Sequence, residues 1–260
     1  MGKRDSSQTR AAPVFDKLKL CEPGGGNQLE ALLRLATGGH PNSHPLIRMS
    51  DVRVSKWGEC EARIQPPLSL LAWLIRNLPD TGVARPSGGD ETSLRRRELF
   101  DRNPMTVRKA LKSIHGSDLP KAWYVLEGSS QPDVYIETDE AVVVVEGKRT
   151  EPELTVGTTW MPGRHQILRH IDGAWEVRGH RKVYALLIVE GDEEDGGLRV
   201  PSKWVEESLN TVSTEAISSS LPHRGPTEQL EIARCFRGVT TWQAVCRTFD
   251  VDWRSLPDTT

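Results

Sequence analysis

Two rhythms of hydrophobic positions divide the chain. In the N-terminal half they recur at helical spacing. Leu29, Leu32, Leu33 and Ala36 share one face, with Asn27 placed to cap a helix and Gly38-Gly39 to stop it. "LSLLAWLIRNL" (68–78) reads as a strongly apolar, buried helix, and 94–118 as two helices broken at Asn103-Pro104. Residues 40–67 are Pro-rich and irregular, and 79–93 form a turn-rich loop. From residue 122 the period shortens. "AWYVLEG" (122–128), "DVYIET" (133–138) and "AVVVVEG" (141–147) are β-rich runs separated by "SSQP" and "DE" turns. A helix over 162–179 and a strand over 182–191 follow, and 201–260 is read as mostly helical.

This order predicts an α/β chain with a mixed sheet: helix, three-stranded antiparallel meander, helix, strand. The expected division is a disordered tail (1–25), a helical N-terminal region (26–93), the α/β core (94–200) and a helical C-terminal region (201–260).

Charge adds one feature. The 260 residues carry a net charge of −2, so the molecule as a whole is no generic polyanion binder. Residues 94–112, however, hold Arg95, Arg96, Arg97, Arg102, Arg108, Lys109 and Lys112 against only Glu98 and Asp101. That stretch is the candidate nucleic-acid contact, its alternative being a solvated helix face. Cys21, Cys60, Cys235 and Cys246 lack the C-x-x-C spacing of zinc or redox motifs and read as reduced thiols. The polar start has no apolar signal region, and no apolar run is long enough to cross a bilayer, so the expectation is a soluble cytoplasmic protein without membrane contact.

The candidate chemistry lies at the charged end of the meander. In an antiparallel meander the end of strand one, the start of strand two and the end of strand three share one sheet edge. Glu127, Asp133, Glu146 and Lys148 are therefore expected to converge. Glu146 and Lys148, two apart, point to one face, and Gly147 between them permits close backbone approach. Carboxylates gathered this way repel unless a cation lies between them, and a hard divalent ion with oxygen ligands meets that need.

Pro132-Asp133 followed by Glu146-Gly147-Lys148 across a strand–turn–strand resembles the PD-(D/E)XK nuclease superfamily. The resemblance covers about residues 94–191. It implies a restriction-endonuclease-like core and a Mg²⁺-dependent (or Mn²⁺-dependent) phosphodiesterase. Asp133, Glu146 and the Gly147 carbonyl would bind the metal, and Lys148 would orient or help deprotonate the attacking water. The family often adds an acidic residue, for which Glu127 and Glu98 are the two candidates, Glu127 favoured by the meander geometry. One branch also carries a Gln on the following helix with a Tyr four residues on. Gln166 stands at the first position and His170 at the second.

The expected partner is nucleic acid, DNA ahead of RNA, in restriction, repair or defence. Homodimers are common in the family. The alternative is a catalytically inactive nucleic-acid- or protein-binding module on the same fold. His40 and His44 are read as loop residues, His165 and His170 as surface histidines, and "GDEED" (191–195) as an exposed acidic turn. With no G-x-S-x-G and no phosphate-binding glycine loop, esterase and NTPase readings have no support.

Overall fold

A computed structural model describes residues 6–115, 122–151, 153–192 and 196–258. Residues 1–5 of the expected tail, and 193–195 of the expected acidic turn, lie outside the described residues.

The strands are β1 (Thr37–Gly38), β2 (Val54–Trp57), β3 (Val134–Glu137), β4 (Ala141–Gly147), β5 (Val156–Thr158), β6 (Met161–His165), β7 (Lys182–Val189) and β8 (Phe236–Thr241). The helices are α1 (Ala12–Phe15), α2 (Gly25–Arg34), α3 (Leu68–Asn77), α4 (Glu91–Phe100), α5 (Pro104–Ser113), α6 (Gln166–Val177), α7 (Ser202–Thr211), α8 (Thr214–Ser220), α9 (Pro226–Ala233) and α10 (Trp242–Thr248). Six strands form one mixed sheet in the order β1-β8-β7-β4-β3-β2, and β5-β6 is a separate hairpin. β2, β3 and β4 are antiparallel neighbours, while β4, β7 and β8 run parallel.

β4 is buried along its whole length. Successive side chains of a strand alternate between faces, so a strand covered on both sides is apolar throughout. Val143 and Val145 pack with Phe15, Leu32 and Trp242 on one face of the sheet. Val142 and Val144 pack with Ile167, Leu168 and Ile171 of α6 on the other. A third apolar cluster joins α3, α4 and α5 through Leu71, Leu74, Leu99 and Ala110, and Leu126 and Met161 belong to it.

Several expectations require correction. Residues 6–25 are no disordered tail. Ser7–Ala11 wind as a π-helix into α1, and Ala11, Val14, Phe15, Leu18 and Leu20 are buried in the core. The apolar residues recur at helical steps among polar neighbours, and the buried Arg10 among them is neutralised by Glu190 at 2.7 Å. Residues 122–128 form no strand, because β2, from the segment read as irregular, is the neighbour of β3. The apolar Leu126 instead fills the third cluster. Asn27 lies inside α2, which begins after left-handed Gly24, and α2 ends at Arg34 before the glycines. The expected 162–179 helix is β6 followed by α6. The sheet also draws on residues outside 94–200: β1 and β2 precede that range, and β8 from the supposedly helical C-terminal region lies between β1 and β7.

Candidate active site

Register creates the site. Val134 pairs with Val145, so one step further Asp133 lies opposite Glu146. Asp133 Oδ2 accepts a hydrogen bond from the Gly147 amide at 2.7 Å. Lys148 follows in the same strand direction, its amide donating to the Ile188 carbonyl of β7 at 2.8 Å. A side chain at 147 has no room: a Cβ there would lie 2.7 Å from the Trp242 ring and 2.9 Å from Asp133 Oδ2. Glycine lets the backbone approach both.

Glu146 is buried and fully engaged. Its Oε1 accepts from Gln166 Nε2 at 2.7 Å and lies 3.0 Å from Lys148 Nζ. Its Oε2 lies 3.0 Å from His170 Nε2. His170 Nδ1 in turn meets the hydroxyl of Ser130. Gln166 and His170 are four apart on α6, so both reach the strand from one helix face. Burial works against a charge on Glu146, but the His170 hydrogen bond and charge, with Lys148, hold its carboxyl below the usual range. Asp133 is pushed well above that range by burial, then by the charges of Glu146 and Glu61, against the Gly147 amide and Lys148.

The sequence-predicted residues divide. Asp133, Glu146, Gly147, Lys148 and Gln166 come together. Glu127 does not join them: it is buried against Arg164 (3.3 Å) and Arg169 (3.4 Å). Glu98 is exposed and accepts from Thr106 Oγ1 at 2.5 Å, bracing α5. The further carboxylate whose charge bears on Asp133, after Glu146, is Glu61, which follows the short 58–60 turn and accepts a hydrogen bond from Ser7. Nothing in the irregular 40–67 run marks Glu61; only the pairing of β2 with β3 brings its segment to this end of the sheet. Contrary to expectation, His165 and His170 are both buried. Burial, then the charge of His170, lowers His165 to about 4. His170 stood at a named helical spacing from Gln166, and that spacing was the available signal.

No protein-family model, no curated protein and no solved structure matches this chain.

The basic stretch divides too. Arg96 lies over the Trp160 ring at 5.1 Å, and its Nε donates to the Trp123 carbonyl. Arg95 packs on Trp123 and pairs with Glu91, Arg97 donates to the carbonyls of Pro86 and Gly88, and Arg102 pairs with Asp80 at 2.6 Å. Arg108, Lys109 and Lys112 are exposed.

The donors at the strand end suit a hard divalent cation in kind: the carboxylates of Asp133, Glu146 and Glu61 and the Gly147 carbonyl. Burial raises Asp133 first, and the carboxylate repulsion that adds to it is what such a cation relieves. The present side-chain positions spend these donors inside the protein, since Ser6 Oγ donates to the Gly147 carbonyl at 3.0 Å and three groups hold Glu146. Among the described residues no group of three or more His, Cys, Asp or Glu side chains is arranged to hold a metal ion. No helix among them is long and apolar enough to cross a membrane.

Proposed function

We propose that this chain is a Mg²⁺-dependent nuclease that hydrolyses phosphodiester bonds in DNA, on a restriction-endonuclease-like core. The observation that carries the reading is the end of β4: Glu146 in the buried strand, Lys148 just past its end, Asp133 opposite, just ahead of β3, and a carboxyl raised by burial and then by two other carboxylates. The β2-β3-β4 meander, the α6 crossover and β7 parallel to β4 support the fold assignment.

Asp133, Glu146 and the Gly147 carbonyl would hold the ion, with Glu61 near enough to add charge. When bound, Mg²⁺ supplies Lewis acidity toward the phosphate and lowers the pKa of a coordinated water. The remaining work falls to the chain. Gln166 and His170 fix the Glu146 carboxylate, so that it spends no reorganisation during the reaction. Lys148 presents its ammonium group to the attacking water or to a phosphate oxygen, where negative charge develops. The water oxygen bonds to phosphorus, one P–O ester bond breaks, and the products are a phosphate monoester and a hydroxyl.

The test is cleavage of plasmid and single-stranded DNA with Mg²⁺ or EDTA. Asp133→Ala and Lys148→Ala should each lose about 10²–10³-fold in rate. Wild type that cuts nothing, or variants that cut as well as wild type, overturn the proposal. The engagement of Glu146 and the Gly147 carbonyl by protein donors favours a second reading, an inactive binding module. Calorimetric titration separates the two: the module shows no saturable Mg²⁺ or Mn²⁺ binding that depends on Asp133.

A further inference from the structure

We infer that the groove leading to this centre takes an unpaired nucleic-acid strand, with a base at Trp160 and a phosphate at Arg169. The inference deepens the nuclease reading and rests on it for the identity of the ligand.

Two cavities lie along the β5-β6 hairpin. The larger, about 440 Å³, lies between residues 125–128 and 157–160. The smaller, about 260 Å³, ends at Gln166 and His170, the two side chains that hold Glu146. Gly157 and Arg169 line both, so the cavities are successive stations of one groove that runs to the candidate centre.

Arg169 is built for a fixed contact. Its Nη2 donates to the carbonyls of Gly128 (3.1 Å) and Ser129 (2.9 Å), and Glu127 lies 3.4 Å from its Nε. A quarter of the side chain, 25%, still reaches solvent. The side chain is therefore held while part of it still reaches the groove, although its Nε is buried, and a cation so fixed suits a phosphate oxygen. Glu127, drawn from the sequence as a catalytic carboxylate, serves here to tie Arg169 to the groove wall. At the far station Trp160 is half-buried, with the Arg96 guanidinium against its ring.

Size and chemistry select the ligand class. The two volumes bracket the lower end of the range of small-ligand sites, ~300–1,000 Å³. Each station admits one nucleotide unit rather than a double helix. A duplex keeps its bases stacked inside and offers phosphates and groove edges. An aromatic ring beside a cationic wall is used by unpaired strands, whose bases can leave their own stack.

The test is fluorescence anisotropy in EDTA, which prevents cleavage. It compares a labelled DNA strand of about 12 nucleotides, within the ~4–16 nucleotide range of single-strand sites, with its own duplex. The single strand should bind at least about tenfold more tightly. Trp160→Ala and Arg169→Gln should each weaken single-strand binding about tenfold and leave duplex binding nearly unchanged. Arg169→Gln should also reduce the salt slope for the single strand by about 0.7. Circular dichroism checks folding, and Trp160→Phe and Arg169→Lys, which keep the ring and the charge, should each retain most of the single-strand affinity. Equal affinity for strand and duplex, or folded Trp160→Ala and Arg169→Gln proteins that bind like wild type, overturns the proposal. Mg²⁺-dependent cleavage without single-strand preference rejects the groove and leaves the nuclease reading standing. Single-strand preference without cleavage does the reverse.

Discussion

Two buried charge clusters lie on α6, and they are built on opposite terms. Around Asp172 the charges match. Arg164, with no exposed surface, reaches Asp172 at 2.7 Å and Glu127 at 3.3 Å, and Arg224 closes on Asp172 at 3.0 Å. Burial opposes the Asp172 charge, but Arg164, His223 and Arg224 hold its carboxyl far below the usual range. Around Glu146 the charges do not match. Lys148 and His170 satisfy Glu146, and Asp133 is left facing the charges of Glu146 and Glu61. The first cluster locks β6, α6 and the loop after α8 together. The second keeps a surplus of carboxylates where the fold itself gains nothing by it. The proposed cation site rests on that local conflict.

The matched cluster is most sensitive at Asp172. Asp172→Ala leaves the buried Arg164 with the Glu127 carboxylate and the Ser220 carbonyl, one carboxylate fewer, and should cost about 3–5 kcal/mol in urea unfolding. A loss under about 1 kcal/mol would mean that the matched cluster is no structural lock.

A second measurement loads the other cluster. If the carboxylate surplus awaits a cation, Mg²⁺ or Mn²⁺ at about 100 times its dissociation constant should stabilise the protein by about 2.7 kcal/mol. The shift in thermal midpoint should vanish in Asp133→Asn. A wild-type midpoint that ignores both metals removes the cation from the account.

The smallest effect is the most diagnostic. Asp133→Asn removes a buried, repelled carboxylate, so it should slow cleavage by about 10²–10³-fold yet raise stability in EDTA by on the order of 1 kcal/mol. The pH dependence fixes the cause. The folded value of Asp133 lies above its unfolded one, so its contribution is fully present below the ordinary carboxylate value and is lost as pH rises through the window above it. The advantage of Asp133→Asn should therefore grow with pH across that window. Asp172 behaves oppositely: its contribution is present above the ordinary carboxylate value and is lost as pH falls below it. An Asp133→Asn advantage that is flat with pH would trace the gain to packing instead.

Much of the site was legible because it is local. Asp133 and Glu146 are joined by one hairpin, Lys148 is two residues further on, and Gln166 opens the following helix, while His170, one turn on, reads as a surface residue but is buried. Turn chemistry and periodicity set such relations over a few residues. The break between α4 and α5 was legible for the same reason, since Asn103 caps Met105 and Thr106 ahead of Pro104. Glu61 and Ser6 were not legible. Each reaches the site across more than 70 residues, and their neighbouring sequence is polar or Pro-rich with no period to read.

The β3-β4 hairpin, the valine run of its inner strand, and the carboxylates and lysine at its end follow from local pattern, because alternation and turns act between near neighbours. Long-range packing chose which strand lies beside β3, brought β8 into the sheet, and set Glu127 against Arg169 and the charge of Glu61 near Asp133. Those choices depend on which distant surfaces bury one another best and on which buried charges find partners. Neither property belongs to any short stretch of the chain.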